Sequence, residues 1–352
     1  MNLFINGYNI FLIVIVGFFT TMILTPVVRK IAIMIGAVDK PDHKRKVHDI
    51  PIPSMGGLAI FASFLLGYLI FAPRTTQMIP ILIGAFIIIL TGMIDDIHPL
   101  KAHEKLIGEI ASALVVTVFG GISINSIQIF GHILNFGILS YPLAILFIVA
   151  IMNAIDLADG LDGLAAGTTA IYFITIAVIG YIMSELGGLN VILCLILAGS
   201  CLGFLLYNFS PATIFMGDTG SLFLGYIISV IALLGFKTAT LTSLIIPILI
   251  LFVPIIDTIL AMERRLIKGK SIGSADREHL HHQLLKATKS TTKTVIIMYV
   301  INGLFSLVSI FYTLGFKKVS IILYLILLAI FLILIFTTDI LFEHKKDSNN
   351  EN

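Results

Sequence analysis

Long apolar runs alternate with short polar segments along nearly the whole chain. Eleven runs approach the roughly 20 apolar residues that a bilayer-spanning helix needs. They are Ile10–Val28, Pro53–Phe71, Met78–Ile94, Lys105–Gly120, Pro142–Ala158, Leu164–Met183, Leu189–Asn208, Ser221–Phe236, Thr242–Met262, Thr294–Leu314 and Val319–Phe342. One longer connection, Gly121–Ser140, carries the alternations Ile122/Ile124 and Ile127/Ile129, which predict a small β-hairpin. The pattern predicts an all-α polytopic membrane protein of about eleven transmembrane helices. Residues 1–342 form one integral-membrane domain in this reading, followed by a polar tail at 343–352.

One stretch breaks the alternation. Asn153-Ala-Ile-Asp156-Leu-Ala-Asp159-Gly-Leu-Asp162-Gly163-Leu164 places three carboxylates within seven residues, between the apolar runs Pro142–Met152 and Leu164–Met183. An ionised Asp at bilayer depth costs roughly 2.5–3.5 kcal/mol on insertion scales, so such residues mark function. On a helix Asp156 and Asp159 share a face, and Gly160 and Gly163 let the backbone turn before the next span.

Composition agrees with the pattern. Of 352 residues, 58% are hydrophobic and 12% charged, whereas a soluble domain has about 25% charged residues. Cys194 and Cys201 fall inside one apolar run, so nothing in the sequence suggests a disulfide framework. The N-terminus has neither a basic n-region nor a small-x-small cleavage site, so the first run is expected to remain as a helix. Charge placement predicts orientation. Of the 22 Lys and Arg residues, only Arg74, Lys237, Lys317 and Lys318 fall on one side of the predicted topology. The positive-inside rule then puts the N-terminus and hairpin outside and the C-terminus in the cytoplasm. The acidic stretch, Asp95-Asp96, Asp218 and the His279–His282 group all fall on the cytoplasmic side.

The cytoplasmic segments carry the candidate chemistry. Asp39 through His48 is dense in cations, with Lys46 and His48 as phosphate candidates; a plain positive-inside anchor is the other reading. Asp95-Asp96 is followed by His98, Lys101, His103 and Lys105. Side chains of adjacent helical residues point about 100° apart, and two acids at a helix C-terminus oppose the macrodipole, so this placement is hard to explain structurally. Asn208-Phe209-Ser-Pro211 leads to Phe215-Met-Gly217-Asp218-Thr-Gly220-Ser221, readable either as a helix cap or as a ligand loop. Arg264-Arg265 and His279-Leu-His281-His282 suit diphosphate oxygens, and no spaced Cys or carboxylate set points to zinc.

Taken together and in this order, Asp95-Asp96, the Asn153–Leu164 stretch, Asn208 through Ser221 and His279-Leu-His281-His282 resemble the polyprenyl-phosphate N-acetylhexosamine-1-phosphate transferase superfamily. The His-x-His-His form is similar to the branch that starts teichoic acid, O-antigen or enterobacterial common antigen synthesis. The muramoyl-pentapeptide branch usually has three consecutive histidines. Asp156 stands where the family often has Asn, keeping an oxygen ligand and adding a charge.

The resemblance implies that undecaprenyl phosphate attacks the β-phosphorus of UDP-N-acetylglucosamine (UDP-GlcNAc), releasing UMP and leaving a lipid-linked diphospho-sugar. It implies Mg²⁺, with Mn²⁺ able to substitute, on Asp218 and Asp156. Asp159 and Asp162 are expected to close the diphosphate and nucleoside site, and Asp95 and Asp96 to face the lipid phosphate. Phe215 is expected to stack on uracil with Asn208 nearby, and Asn153 to be a further substrate contact. His279, His281, His282, Arg264 and Arg265 are expected to hold diphosphate or sugar, with Lys46, His48 and Lys105 as further phosphate contacts. Membrane lipids and a second copy of the chain are the remaining partners expected, and nucleic acid is not one. A UDP-muramoyl-pentapeptide transferase is the competing donor assignment. An ion-coupled transporter is the competing class, but its acids typically sit at the bilayer midplane between repeats, and no inverted repeat is visible.

Overall fold

The computed structural model describes residues 4–39, 51–129, 132–183, 188–235, 251–267, 269 and 279–337. These form helices joined by short connections and three two-stranded antiparallel ribbons. The helices are α1 (Ile10–Ile35), α2 (Gly57–Phe71), α3 (Met78–Ile97), α4 (Ala102–Leu114), α5 (Ser140–Ala158), α6 (Leu164–Ile182), α7 (Leu189–Asn208), α8 (Gly217–Gly235), α9 (Phe252–Ile267), α10 (Leu280–Thr288), α11 (Thr291–Thr313) and α12 (Lys317–Thr337). Among the described residues, seven helices are long and apolar enough to cross a membrane. They are α1, α3, α5 (with the 3₁₀ turn before it), α6, α7, α8 and α11.

Boundaries follow the switch from apolar to polar sequence. Helix α7 spans the predicted Leu189–Asn208, and α6 ends one residue short of the predicted Met183. Two predicted spans are shorter as helices. The second begins at Gly57 rather than Pro53, because Ile52–Pro53 (β4) pairs with Val38–Asp39 (β3) and the next residues bond to a distant loop. The fourth divides into α4 and a π-helical turn, Val115–Phe119. The start of the predicted ninth span lies outside the described residues, and α9 continues past the predicted Met262. It carries Arg264 and Arg265 as buried helical residues rather than in a loop. Strands Ser126–Ile129 (β5) and His132–Asn135 (β6) pair antiparallel, with Ile127 opposite Leu134. Ile122 and Ile124 precede the first of them.

Helix α8 is the innermost, buried along almost its whole length against α3, α5 and α2. Helix α1 lies at the periphery on α7 and α2, with Phe11, Phe19 and Ile23 exposed as a bilayer-facing helix requires. A second apolar core joins α9 to α12, with Phe252, Phe305 and Phe331 in edge-on or tilted contact. Leu161 and Leu164, on either side of Gly163 in the acidic turn, plug into this second core. The turn therefore sits where the two cores meet, at one end of the bundle.

Candidate active site

Four segments meet at the N-terminus of α8: the loop that leads into it, the loop before α2, α2 itself and the end of α3. Gly57 and Gly220 touch through their backbones: a Cβ on Gly57 would lie 2.0 Å from the Gly220 Cα. The loop before α8 is zipped to the loop before α2, with Phe215 N–H donating to the Pro53 carbonyl at 2.8 Å and Gly56 N–H to the Phe215 carbonyl at 2.9 Å. Gly217 has φ +70° and faces the Asp96 carboxylate and Ser54 hydroxyl where a side chain would be. The first N–H groups of a helix lack intrahelical partners, and here Asp96 supplies them. It accepts from Asp218 N–H at 3.1 Å, Thr219 N–H at 3.1 Å, the Thr219 hydroxyl at 2.6 Å and the Ser54 hydroxyl at 2.9 Å. A carboxylate from α3 thus caps α8 across the bundle, where negative charge complements the helix dipole.

Asp95 points elsewhere, as the 100° step between neighbours requires. It accepts from Leu100 N–H at 2.7 Å and lines an open cleft of about 880 Å³. The cleft wall also includes Asp39, Asp159, Asp162, Asn208, Phe215, Asp218 and His282. Asp156 and Asp218 share one cation. The Lys105 ammonium donates to Asp156 Oδ2 at 2.8 Å and also contacts Asp218 Oδ2. The other Asp156 oxygen accepts from the Ser221 hydroxyl at 2.6 Å. Asp159 ends α5 as its C-cap. Burial pushes its carboxyl up to about 8, and the negative charges of Asp156, Asp96 and Asp162 add to the shift.

Polar bonds lace the acidic turn to the loop before α8. Ala212 N–H donates to Asp162 at 3.0 Å, and Gly163 N–H to the Asn208 side-chain oxygen at 3.1 Å. The Asn208 amide nitrogen donates to the Ile214 carbonyl at 3.0 Å. The Tyr299 hydroxyl donates to the Gly163 carbonyl, which ties α11 to the same turn.

The histidines approach from α10. Asp257 on α9 accepts from Leu280 N–H at 2.9 Å and lies 3.2 Å from His279 Nδ1. The His279 and His281 rings stack at 5.5 Å, and His281 and His282 follow at 4.4 Å. His281 is buried against Gly160 of the acidic turn, and its Nε2 has no hydrogen-bond partner among the described residues. Burial lowers its pKa to about 3, and the charge of His282 adds to this, so the ring is neutral at pH 7. Only His282 of the three reaches the cleft wall.

Residues 78–236 match the Glycosyl transferase family 4 profile. A relative from Bacillus subtilis (strain 168), a probable undecaprenyl-phosphate N-acetylglucosaminyl 1-phosphate transferase, is 46% identical over 301 residues, covering 84% of this chain and 83% of the relative. This chain belongs to the polyprenyl-phosphate N-acetylhexosamine-1-phosphate transferase superfamily.

More distant members are similar over comparable lengths. A decaprenyl-phosphate N-acetylglucosaminephosphotransferase of Mycobacterium tuberculosis (strain CDC 1551 / Oshkosh) is 34% identical, covering 81% of this chain and 78% of the relative. A phospho-N-acetylmuramoyl-pentapeptide-transferase of Chloroherpeton thalassium is 31% identical, covering 76% of this chain and 81% of the relative. The profile match takes in every carboxylate predicted for the site, from Asp95 to Asp218, and stops before the histidines.

Within the superfamily framework, the structure gathers some predicted site residues and separates others. Asp95, Asp96, Asp159, Asp162, Asn208, Phe215, Asp218 and His282 line the cleft, and Lys105 and Asp156 stand directly behind Asp218. Asn153 is not on the wall; it donates to Glu109 at 2.5 Å and to the Val149 carbonyl at 2.9 Å. Arg264, Arg265, His279 and His281 are buried and also off the wall. Lys46 and His48 lie outside the described residues. Sequence reading missed Asp257 and Glu109. Both fall inside predicted spans, Asp257 in Thr242–Met262 and Glu109 in Lys105–Gly120, where a carboxylate in an apolar run is itself a signal.

The donor set is compatible with one hard cation. No three His, Cys, Asp or Glu side chains gather into a metal cluster among the described residues. Asp156 and Asp218 nevertheless aim one oxygen each at a point that a cationic nitrogen fills. Mg²⁺ is typically held by one or two carboxylates plus substrate phosphates and water, so two converging oxygens suffice.

Proposed function

We propose that this chain transfers N-acetylglucosamine-1-phosphate from UDP-GlcNAc to undecaprenyl phosphate. UMP is released, and the product is the first lipid-linked intermediate of a cell-envelope glycopolymer. The observation that carries this reading is the convergence of Asp95, Asp159, Asp162, Asp218 and His282 on one cleft. The named activities of the Bacillus and Mycobacterium relatives support it. In the predicted topology the acids of the cleft fall on the side richest in Lys and Arg, which supports a reaction on the cytoplasmic face of the plasma membrane.

In the reaction, a lipid-phosphate oxygen forms a bond to the β-phosphorus of the donor, and the bond from that phosphorus to the UMP oxygen breaks. A phosphate monoester has its second pKa near 6, so much of the nucleophile is already dianionic at pH 7. Asp95 therefore acts by orienting the lipid phosphate rather than by removing its proton, since placement in line contributes more to rate. Mg²⁺ on Asp218 and Asp156 would supply charge neutralisation between the two approaching anions. His282, at the cleft wall, contacts the donor diphosphate or sugar, backed by His281 and His279. Phe215 stacks on uracil. Asn208 uses both ends of its amide on the two loops, so it shapes the nucleoside pocket instead of touching the base. Asp96 serves the site by fixing the α8 terminus that carries Asp218.

The test is a side-by-side assay of UMP release in detergent with UDP-GlcNAc and UDP-muramoyl-pentapeptide, each with undecaprenyl phosphate. UDP-GlcNAc is expected to turn over and the pentapeptide donor to be rejected. Faster turnover of the pentapeptide donor would move the chain to the peptidoglycan branch, and no UMP from either would remove the transferase reading.

A further inference from the structure

Lys105 Nζ sits between Asp156 Oδ2 and Asp218 Oδ2, joining α4, α5 and α8 through one ammonium. All three side chains are poorly solvated, at 18%, 17% and 25% exposure. Two carboxylates held this close without a cation would repel in a medium that screens them weakly. One ammonium cancels half of their charge, and a divalent cation cancels all of it. A divalent cation held by the same two oxygens would need the point that the ammonium fills, so the two could not be bound there together. Lysine has a flexible four-carbon stem and can leave.

We propose that Lys105 is a place-holder for the divalent cation. Its ammonium keeps the two carboxylates together in the metal-free protein, and the metal displaces it. The consequence is an order of events: entry of the cation releases an ammonium beside the cleft, where it is free to meet substrate phosphate. This inference rests on Asp218 and Asp156 being the ligands of the cation.

The experiment uses the full-length, metal-free protein in detergent, without substrates, and Mn²⁺ as a paramagnetic probe. Binding is followed by electron paramagnetic resonance for the native chain, Lys105→Met, Lys105→Arg and Asp218→Asn. Lys105→Met is expected to bind Mn²⁺ about tenfold or more tighter than the native chain, and Asp218→Asn to lose the site. Lys105→Arg, which keeps a cation on the stem, is expected to stay as weak as the native chain. In parallel, Mn²⁺ is expected to raise the rate at which an amine-reactive acetylating reagent modifies Lys105 in the native chain, read by mass spectrometry. Equal or weaker binding by Lys105→Met, with Asp218→Asn still abolishing the site, would overturn the place-holder and leave the metal site standing. Mn²⁺ binding indifferent to Asp218→Asn would overturn the metal site and the place-holder together. Should Lys105→Met fail to fold, the acetylation rate decides alone: acceleration by Mn²⁺ supports exchange, and an unchanged rate on Mn²⁺-loaded protein refutes it.

Discussion

A carboxylate that accepts four hydrogen bonds at a helix terminus has its oxygens committed, and Asp96 is in that position; both acids line the cleft, but Asp95 accepts from a loop N–H, that of Leu100, instead of capping a helix. Replacing Asp96 by Asn puts an amide donor against N–H and O–H donors and is expected to cost about 2 kcal/mol or more. The apparent melting temperature of Asp96→Asn should fall, and activity with it. Asp95→Asn should melt like the native chain yet turn over at least about tenfold more slowly, the loss expected from one misplaced contact. Thermal unfolding beside kcat separates the two, and a changed acid limb in the Asp95→Asn pH profile would restore a general-base role. Asp159 makes a second test at this scale. The folded protein keeps its proton up to about 8, whereas an unfolded Asp releases it near 3.9. Between those values the folded state binds more protons, so stability falls as pH rises and levels off above the folded pKa. In divalent-free buffer the native chain should lose melting temperature from pH 5 to 8, and Asp159→Asn should make that decline shallower. Equal slopes for both would show that Asp159 is already ionised.

At the scale of elements, α9 is what presents the histidines. Asp257 fixes both the first N–H of α10 and the His279 ring, and the stacked rings carry that order to His282 at the cleft. Asp257→Asn keeps an acceptor for Leu280 N–H but weakens the contact with His279. Turnover with UDP-GlcNAc is expected to fall by about tenfold, the effect of slight misplacement. The donor KM and melting temperature should change little. A rise in KM with kcat preserved would make Asp257 a support for donor binding rather than for histidine placement.

For the whole molecule, orientation is the property with the sharpest test. Cys194 and Cys201 are buried, so the native chain has no exposed thiol among its cysteines. Ile138→Cys, at an 84% exposed position beside the β5–β6 ribbon, should react with an impermeant maleimide on intact cells. Lys289→Cys, at the exposed end of α10, should react only after the cells are opened. The opposite pattern would invert the topology and place the cleft outside.

Helices were legible in the sequence because a membrane span satisfies its own backbone hydrogen bonds, so an apolar run and its polar ends suffice to mark it. That is why Leu189–Asn208 reads the same in sequence and structure, and why three carboxylates in the turn after α5 announce themselves. The same local logic gave Asp95 and Asp96 different hydrogen-bond partners, since neighbours on a helix point about 100° apart, although both reach the cleft wall. What the chain in one dimension does not contain is which side chains meet. Lys105 reaches Asp156 and Asp218 across 51 and 113 residues, and Asp96 caps a helix that begins more than a hundred residues later. Asp257 stands alone in an apolar run, and nothing near it in sequence says that its partners are Leu280 N–H and His279. Those meetings were decided by packing, above all by the close approach of α3 at Gly92, where a Cβ would lie 2.4 Å from the Thr219 backbone nitrogen, which brings Asp96 within reach of the α8 terminus. Composition and periodicity determined that a carboxylate site would lie at one end of a helical bundle. Only the close approach of segments distant in sequence decided which carboxylates hold the structure and which remain open to a ligand.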